Sequence, residues 1–206
     1  MSKLYFYYGV MGSAKTAQAL MQKFNFEENN KKVWLIKPSI DTRDDKIENK
    51  IKRKISSRIG LSDYVDAIES DVDIIKLFED KFWNFEKFDI IICDEAQFLT
   101  TEQVEQLKEI SDQFNIPVFC YGLKTDFKTH LFEGSKRLLE IADTIREVIS
   151  SCKCGKKANV NARLDAFGNI IIDGNQIDIG GNEKYKGLCY TCYKEEVKKL
   201  NDNKNK

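Results

Sequence analysis

The segment Gly9-Val-Met-Gly-Ser-Ala-Lys-Thr16 constrains this chain more than any other. It follows a β-rich run, Leu4 to Tyr8, and opens a stretch of helical spacing from Lys15 to about Phe24. That setting of strand, loop and helix is what a P-loop needs, because consecutive backbone N–H groups then converge on an anion at a helix N-terminus. In such a loop Gly9, Val10, Met11, Gly12, Ser13, Ala14, Lys15 and Thr16 wrap the phosphates of ATP. Lys15 offsets β- and γ-phosphate charge, and the Thr16 hydroxyl ligates Mg²⁺. Ala14 stands where glycine normally precedes the lysine, so the backbone there must tolerate a Cβ. The bland alternative is a glycine turn without a ligand; the strand, the Lys-Thr pair and the helix together argue against it.

The rest of the first 150 residues alternates short apolar runs with helical spacing. Val33 to Ile36 reads as a strand ended by Lys37-Pro38, Phe88 to Cys93 as a central parallel strand buried on both faces, and Ile116 to Tyr121 as another. Thr100 or Thr101 is placed to N-cap a helix with Val104, Leu107 and Ile110 on one face, and a further helix surrounds Leu138, Leu139 and Ile141. The pattern predicts an α/β fold with a parallel sheet covered by helices. Asp94 and Glu95 directly follow the second of these strands, where parallel α/β sheets bind their ligands. Asp94 fits a carboxylate that holds Mg²⁺ through its water shell. Glu95 is then free to accept a proton from an attacking hydroxyl or water. Taken alone, two solvated acids at a strand end are the simpler reading; with the upstream loop they point to Mg-nucleotide phosphoryl chemistry.

Composition excludes several classes. The 33 Lys+Arg balance 33 Asp+Glu, which argues against gripping nucleic acid through bulk positive charge. No apolar run approaches the length of a membrane span, and the N-terminus runs straight into the glycine motif without a secretory h-region. Charge is unevenly spread: residues 44–58 carry a net +3, residues 62–95 a net −8. The basic stretch reads as a mobile loop or exposed helix, near the phosphates because it follows Asp41 and Arg43 and ends at Arg58. Cysteine is uneven too. Cys93 and Cys120 fall inside buried strands and read as inert core, whereas Cys152, Cys154, Cys189 and Cys192 crowd the last quarter, as metal ligands do in a cytosolic chain. From about Ser151 the pattern turns to glycine, asparagine and cysteine, so the expected organisation is a P-loop domain over 1–150, a small metal-binding domain over 151–194, and a disordered tail over 195–206.

Six dispersed motifs in order, YGVMGSAKT, KPSIDTR, SSRIG, DEAQF, YGLKTDFKTHLF and GGNEKYKGLCYTCY, make the chain resemble the zinc-containing thymidine kinases of animal cytosol and many bacteria. The resemblance spans about residues 3–193. It implies a RecA-like P-loop sheet plus a zinc-tied lasso loop over the nucleoside. Glu95 resembles the base that deprotonates the 5′-hydroxyl of thymidine, and Arg43 the cation near the transferring phosphoryl group. Asp94 and Gln97 are expected with the P-loop at the ATP–Mg²⁺ site. Met11, Asp41, Phe98, Leu123, Phe127, Phe132 and Tyr185 match residues around the nucleoside, and Gln176, Ile177, Asp178, Ile179 and Gly180 the lasso stretch that reads the base. A nucleobase needs a flat apolar slot, although Leu123 and Phe132 also suit plain core packing. His130 has no role in the resemblance and reads as structural or exposed.

Cys189-Tyr-Thr-Cys192 is a regular half-site for tetrahedral Zn²⁺, but the other half reads Cys152-Lys-Cys154, with Ser151 where the first cysteine would align. A four-cysteine zinc site is expected if that turn tightens; a three-thiolate site or an oxidised pair are the alternatives. The resemblance further implies ATP and thymidine as substrates, with deoxyuridine as a second acceptor. It also implies feedback inhibition by dTTP, a homotetramer and a cytoplasmic location, with no nucleic-acid or membrane partner. The competing reading is a P-loop ATPase with a zinc ribbon acting on nucleic acid, since DEAQ is also similar to helicase Walker B boxes. A helicase core normally needs two such domains, and this chain has room for one.

Overall fold

The computed structural model describes residues 3–41, 52–83, 87–177 and 184–204. Its larger lobe is built on a seven-stranded sheet. In chain order the elements are β1 (Leu4–Tyr8), α1 (Lys15–Glu28), β2 (Val33–Pro38), β3 (Lys52–Ser56), β4 (Ser62–Ile68), α2 (Ile74–Trp83), β5 (Ile90–Cys93), a 3-10 turn (Ala96–Phe98), α3 (Thr101–Phe114), β6 (Val118–Gly122), α4 (Glu133–Ile141) and β7 (Thr144–Glu147). Strand order is β3-β4-β2-β5-β6-β1-β7, parallel throughout except for β3, which runs antiparallel to β4. The continuous apolar character of β5 and β6 follows from helices on both faces: every residue in both strands is buried. Cys93 and Cys120 face each other in register there, both fully buried.

The capping prediction resolves to Thr100. Its hydroxyl accepts from the Gln103 N–H (3.1 Å) and the Gln103 side chain accepts from the Thr100 N–H (3.3 Å), a reciprocal box that starts α3. Val104, Leu107 and Ile110 then lie fully buried against the sheet. The Gln103 amide also donates to the carbonyls of Glu69 and Val72, tying α3 to the loop before α2.

Residues 44–58 depart from expectation. Lys52–Ser56 is neither loop nor helix but an edge strand paired with β4; residues 42–51 lie outside the described residues. One buried side chain, Ile55, packs with Val65, and the charged neighbours suit an edge that must not pair further.

The smaller lobe carries β8 (Val160–Leu164), β9 (Ile170–Ile171) and β10 (Tyr185–Leu188) in an antiparallel sheet of order β10-β8-β9, followed by α5 (Tyr190–Lys204). The expected disordered tail over 195–206 is therefore wrong through Lys204. Tyr193, Val197 and Leu200 form a helical stripe that packs on Val160, Ala162, Ile170 and Leu188, enough apolar burial to hold a highly charged helix in place. Val10 of the P-loop is part of the same apolar cluster, so the two lobes are joined at the glycine loop itself.

Candidate active site and cysteine cluster

The C-terminal ends of β1, β2, β5 and β6 meet the smaller lobe around two connected cavities. The outer cleft, ≈ 940 Å³, is lined by P-loop residues Met11 to Ala17 other than Ser13, by Ile55 to Ile59, and by Asp41, Asp94, Glu95 and Leu123. The inner cavity encloses ≈ 510 Å³ of space that is in part open to solvent, and its lining is largely apolar. Met11, Asp41, Glu95 and Leu123 line both, and so mark the passage between them.

At the outer cleft the loop turns through Gly12 (φ +80) and Ala14 (φ +63) before α1 begins. Ala14 thus keeps the left-handed backbone that glycine adopts without cost. Ala14→Gly is expected to stabilise the fold by about 0.5–1 kcal/mol, the relieved Cβ strain outweighing the extra freedom of an unfolded glycine; denaturant unfolding checks it, and a loss of stability would contradict it. The Lys15 ammonium is cradled by the Gly9 and Val10 carbonyls (3.1 and 3.0 Å). Thr16 Oγ1 donates to Asp94 Oδ2 at 2.8 Å, while Asp94 Oδ1 is buried with no hydrogen-bond partner among the described residues. An orphaned carboxylate oxygen beside a threonine hydroxyl is a donor set that fits a hard divalent cation such as Mg²⁺.

Burial first, and the neighbouring Glu95 charge second, push the Asp94 carboxyl up from 3.8 to about 7, against the pull of the Thr16 hydroxyl. The folded state therefore holds this proton more tightly than the unfolded chain. The group's contribution to stability is fully present below pH 3.8 and is lost progressively as pH rises from there through about 7. Thermal unfolding of the nucleotide-free protein should show this decline, and Asp94→Asn should abolish that component; an identical pH slope in the variant would contradict it.

Glu95 itself has a left-handed backbone (φ +52) at the sharp turn after β5, which aims its half-buried carboxylate into the passage. Gln97, expected with the ATP–Mg²⁺ residues, is instead placed on the inner cavity. Its Oε1 accepts from the Leu123 N–H (2.9 Å), which fixes the amide's orientation, and its Nε2 donates to Glu95 Oε2 (2.5 Å). Gly122 is required beside it: a Cβ there would lie 2.8 Å from Gln97 Oε1 and 3.0 Å from the Gln97 backbone nitrogen.

The inner cavity gathers Met11, Asp41, Phe98, Leu123, Phe127, Phe132, Gln176, Ile177 and Tyr185. Phe98 and Phe132 meet edge to face at 5.6 Å, and Phe127 is buried beneath the Arg163 guanidinium, 5.3 Å from its ring centre. Asp41, buried, pairs with the fully buried Lys37 at 3.4 Å. Arg43, Asp178, Ile179 and Gly180 lie outside the described residues. His130 is exposed, and its backbone N–H donates to Asp126 Oδ1.

Sequence reading missed Thr125, Asp126 and Asn161 on the inner cavity and Arg58 on the outer cleft. Asn161 bridges the lobes, accepting from the Met11 N–H and donating to the Thr125 carbonyl, both at 2.8 Å. Asp126 and Arg58 sat within two of the motifs quoted above; Asn161 carried no local signal.

The four cysteines of the last quarter come together. Their sulfurs all lie within 4.8 Å of one another, close enough to hold one metal ion, and Cys154 and Cys189 sulfurs are 3.6 Å apart. The Cys152-Lys-Cys154 spacing works because the turn does tighten: the Gly155 N–H donates to the Cys152 carbonyl, Gly155 takes φ +84, and Ser151 pairs with Lys157 across the turn. Burial alone would raise the Cys152 thiol, but backbone N–H groups of Cys154 and Cys189 bring it down to about 6. Thiolate character in such a cluster favours a soft or borderline metal.

Residues 2–193 match the family model described as thymidine kinase. The chain is 43% identical over 194 residues to the thymidine kinase of Legionella pneumophila (strain Paris), covering 94% of this chain and 90% of that protein. It is 44% identical over 202 residues to that of Enterobacteria phage T4 (97% and 100%) and 42% identical over 197 residues to that of Vibrio cholerae (96% and 99%). Among solved structures it is similar to the Pif1 helicase from Candida albicans, with TM-score 0.41 and 13% identity over 71% of this chain and 36% of that one.

Proposed function

This chain belongs to the thymidine kinase family, and from that premise we propose that it transfers the γ-phosphate of ATP to the 5′-hydroxyl of thymidine. The observation that carries the reading is the passage between the cavities: one cleft suited to polyphosphate opens, past Glu95, into an apolar slot suited to a nucleoside. An ATPase that uses water as acceptor has no need of the second chamber.

In this reading the P-loop N–H groups and Lys15 hold the phosphates, Thr16 and Asp94 would hold Mg²⁺, and the ion supplies charge neutralisation on the phosphate oxygens. The nucleoside lies between Met11, Phe98, Leu123, Phe127, Phe132 and Tyr185, with Gln176 and Ile177 on the same cavity and, by the resemblance, the stretch from Gln176 to Gly180 assigned to reading the base. By the resemblance, Asp41 and Arg43 are assigned to the sugar and the phosphoryl group. Glu95 takes the 5′-hydroxyl proton as the oxygen attacks. Gln97 engages only one oxygen of Glu95, the one it donates to at 2.5 Å. Cys152, Cys154, Cys189 and Cys192 hold a structural Zn²⁺, supported by four sulfurs within 4.8 Å of one another and by the Cys154–Cys189 separation of 3.6 Å, close to the about 3.8 Å that a tetrahedron of 2.3 Å Zn–S bonds requires. Deoxyuridine as second acceptor, dTTP inhibition, a homotetramer and a cytoplasmic location belong to the same reading and rest on the resemblance. No helix among the described residues is long and apolar enough to cross a membrane.

Purified protein incubated with Mg-ATP and, in turn, thymidine, deoxycytidine or single-stranded DNA tests the proposal. ADP release stimulated by thymidine supports it. Release stimulated by DNA and not by thymidine would replace it with the nucleic-acid ATPase reading.

A further inference from the structure

The hairpin of β3 and β4 delivers one exposed cation, Arg58, to the rim of the outer cleft, with its guanidinium set against the glycine loop. Its turn is well fastened: the Ser57 N–H donates to the Leu61 carbonyl (2.7 Å), the Leu61 N–H to Ser57 Oγ (3.0 Å), and the Gly60 N–H to the Ser57 carbonyl (3.1 Å). The hairpin is in turn fixed to the P-loop helix. Lys23 of α1 pairs with Asp63 of β4 at 2.6 Å, and Ile55 is sunk in the cluster that contains Ala19 and Leu20 of α1. From this base the Arg58 guanidinium lies against Gly12. A Cβ built on Gly12 would be 3.3 Å from Nη1, 3.8 Å from Cζ and 4.0 Å from Nη2.

Three carboxylates, Asp41, Asp94 and Glu95, line the same cleft, yet Arg58 forms an ion pair with none of the described acids. Lys15, the other cation there, is turned onto the carbonyls of its own loop. Arg58 is therefore a planar cation held over the glycine loop with its donors uncommitted, and a phosphate is the partner such a fork fits. Its position along the cleft selects which phosphate. Gly12 follows Met11, which lines both cavities, so the part of the loop that Arg58 covers is the part next to the inner cavity, where a terminal phosphoryl group bound for that cavity would lie.

We propose that Arg58 is a ligand of the ATP γ-phosphate and stabilises its transfer. The assignment rests on the reading of the outer cleft as the ATP site. In the step, the bond from the γ-phosphorus to the β,γ-bridging oxygen breaks, a bond from that phosphorus to the acceptor 5′-oxygen forms, and Glu95 takes the hydroxyl proton. The products are ADP and the nucleoside 5′-phosphate. Negative charge spreads over the equatorial and bridging oxygens as this happens, and a guanidinium donating to them lowers the barrier.

The test compares Arg58→Ala and Arg58→Lys with the wild type in equilibrium binding of a Mg-bound non-hydrolysable ATP analogue and of Mg-ADP, and in steady-state kinetics. Arg58→Ala should weaken analogue binding about tenfold and ADP binding less than about twofold, as loss of a charge-assisted contact to the γ-phosphate alone requires. kcat/KM for ATP should fall by about 100-fold or more with the thymidine KM within about twofold, and lysine should recover affinity better than kcat. Unchanged analogue binding would overturn the proposal. So would equal losses for analogue and ADP, which would make Arg58 a support for the hairpin. A wild type that binds ATP without phosphorylating thymidine would refute the acceptor assignment instead, and the analogue–ADP contrast would still decide the role of Arg58.

Discussion

Replacing Glu95 with glutamine is expected to lower phosphorylation of thymidine about 10³-fold while leaving Mg-ATP binding within about twofold, the span usual for removal of a general base. The expectation follows from where the residue stands. Its left-handed backbone projects the side chain from the end of β5 into the passage shared by both cavities, and Gln97 ties one of its oxygens to the Leu123 N–H across the sheet. Glutamine is nearly the same shape, so packing and the phosphate loop should be undisturbed; only the capacity to take a proton goes. Stopped-time product assays alongside nucleotide binding separate the two. Full turnover in Glu95→Gln would remove it from the role of base, and a parallel loss of ATP binding would assign it to the nucleotide site.

Removing the metal should have the second large effect. Binding of structural zinc to a cysteine site is worth about 10–16 kcal/mol in small domains, as much as the whole stability of an ordinary domain, about 5–15 kcal/mol. The smaller lobe has one modest apolar cluster, and three of the four cysteines are buried within it. Chelation should therefore unfold the lobe and abolish thymidine turnover. Because Val10 packs in that cluster and the Met11 N–H binds Asn161, ATP affinity should fall too, though less. Elemental analysis should give about one zinc per chain, falling well below that in Cys152→Ser. Unchanged metal content and melting temperature in that variant would mean that three thiolates suffice.

The parts of this molecule that were legible in the sequence are those whose chemistry is local. A P-loop declares itself in eight consecutive residues because its anion site is made of consecutive backbone N–H groups, and the acids after β5 declare themselves because strand ends in parallel sheets carry the ligands. Thr100 or Thr101 announced the start of α3 in the same way, and the structure selects Thr100. The edge strand at Lys52–Ser56 was misread because an edge needs only one buried residue, Ile55, so no alternation shows through the charges. Helix α5 was missed because Tyr193, Val197 and Leu200 are too few to stand out among lysines and glutamates, and their value depends on a cluster supplied by other segments. Arg58 and Asn161 reach the cavities only through tertiary placement, one by a hairpin folded over the glycine loop and the other by a strand of the second lobe. For Gln97, adjacency to Asp94 in sequence does not survive the turn at Glu95, which sends the two side chains to different cavities.

The central claim is that the two connected cavities pass a phosphoryl group from ATP to a nucleoside and not to water. Incubation with γ-labelled ATP, Mg²⁺ and thymidine, followed by separation of the products, tests it most directly. The account predicts one equivalent of label on the 5′-oxygen of thymidine for each ADP formed. Label recovered as inorganic phosphate, with thymidine unchanged, would contradict it.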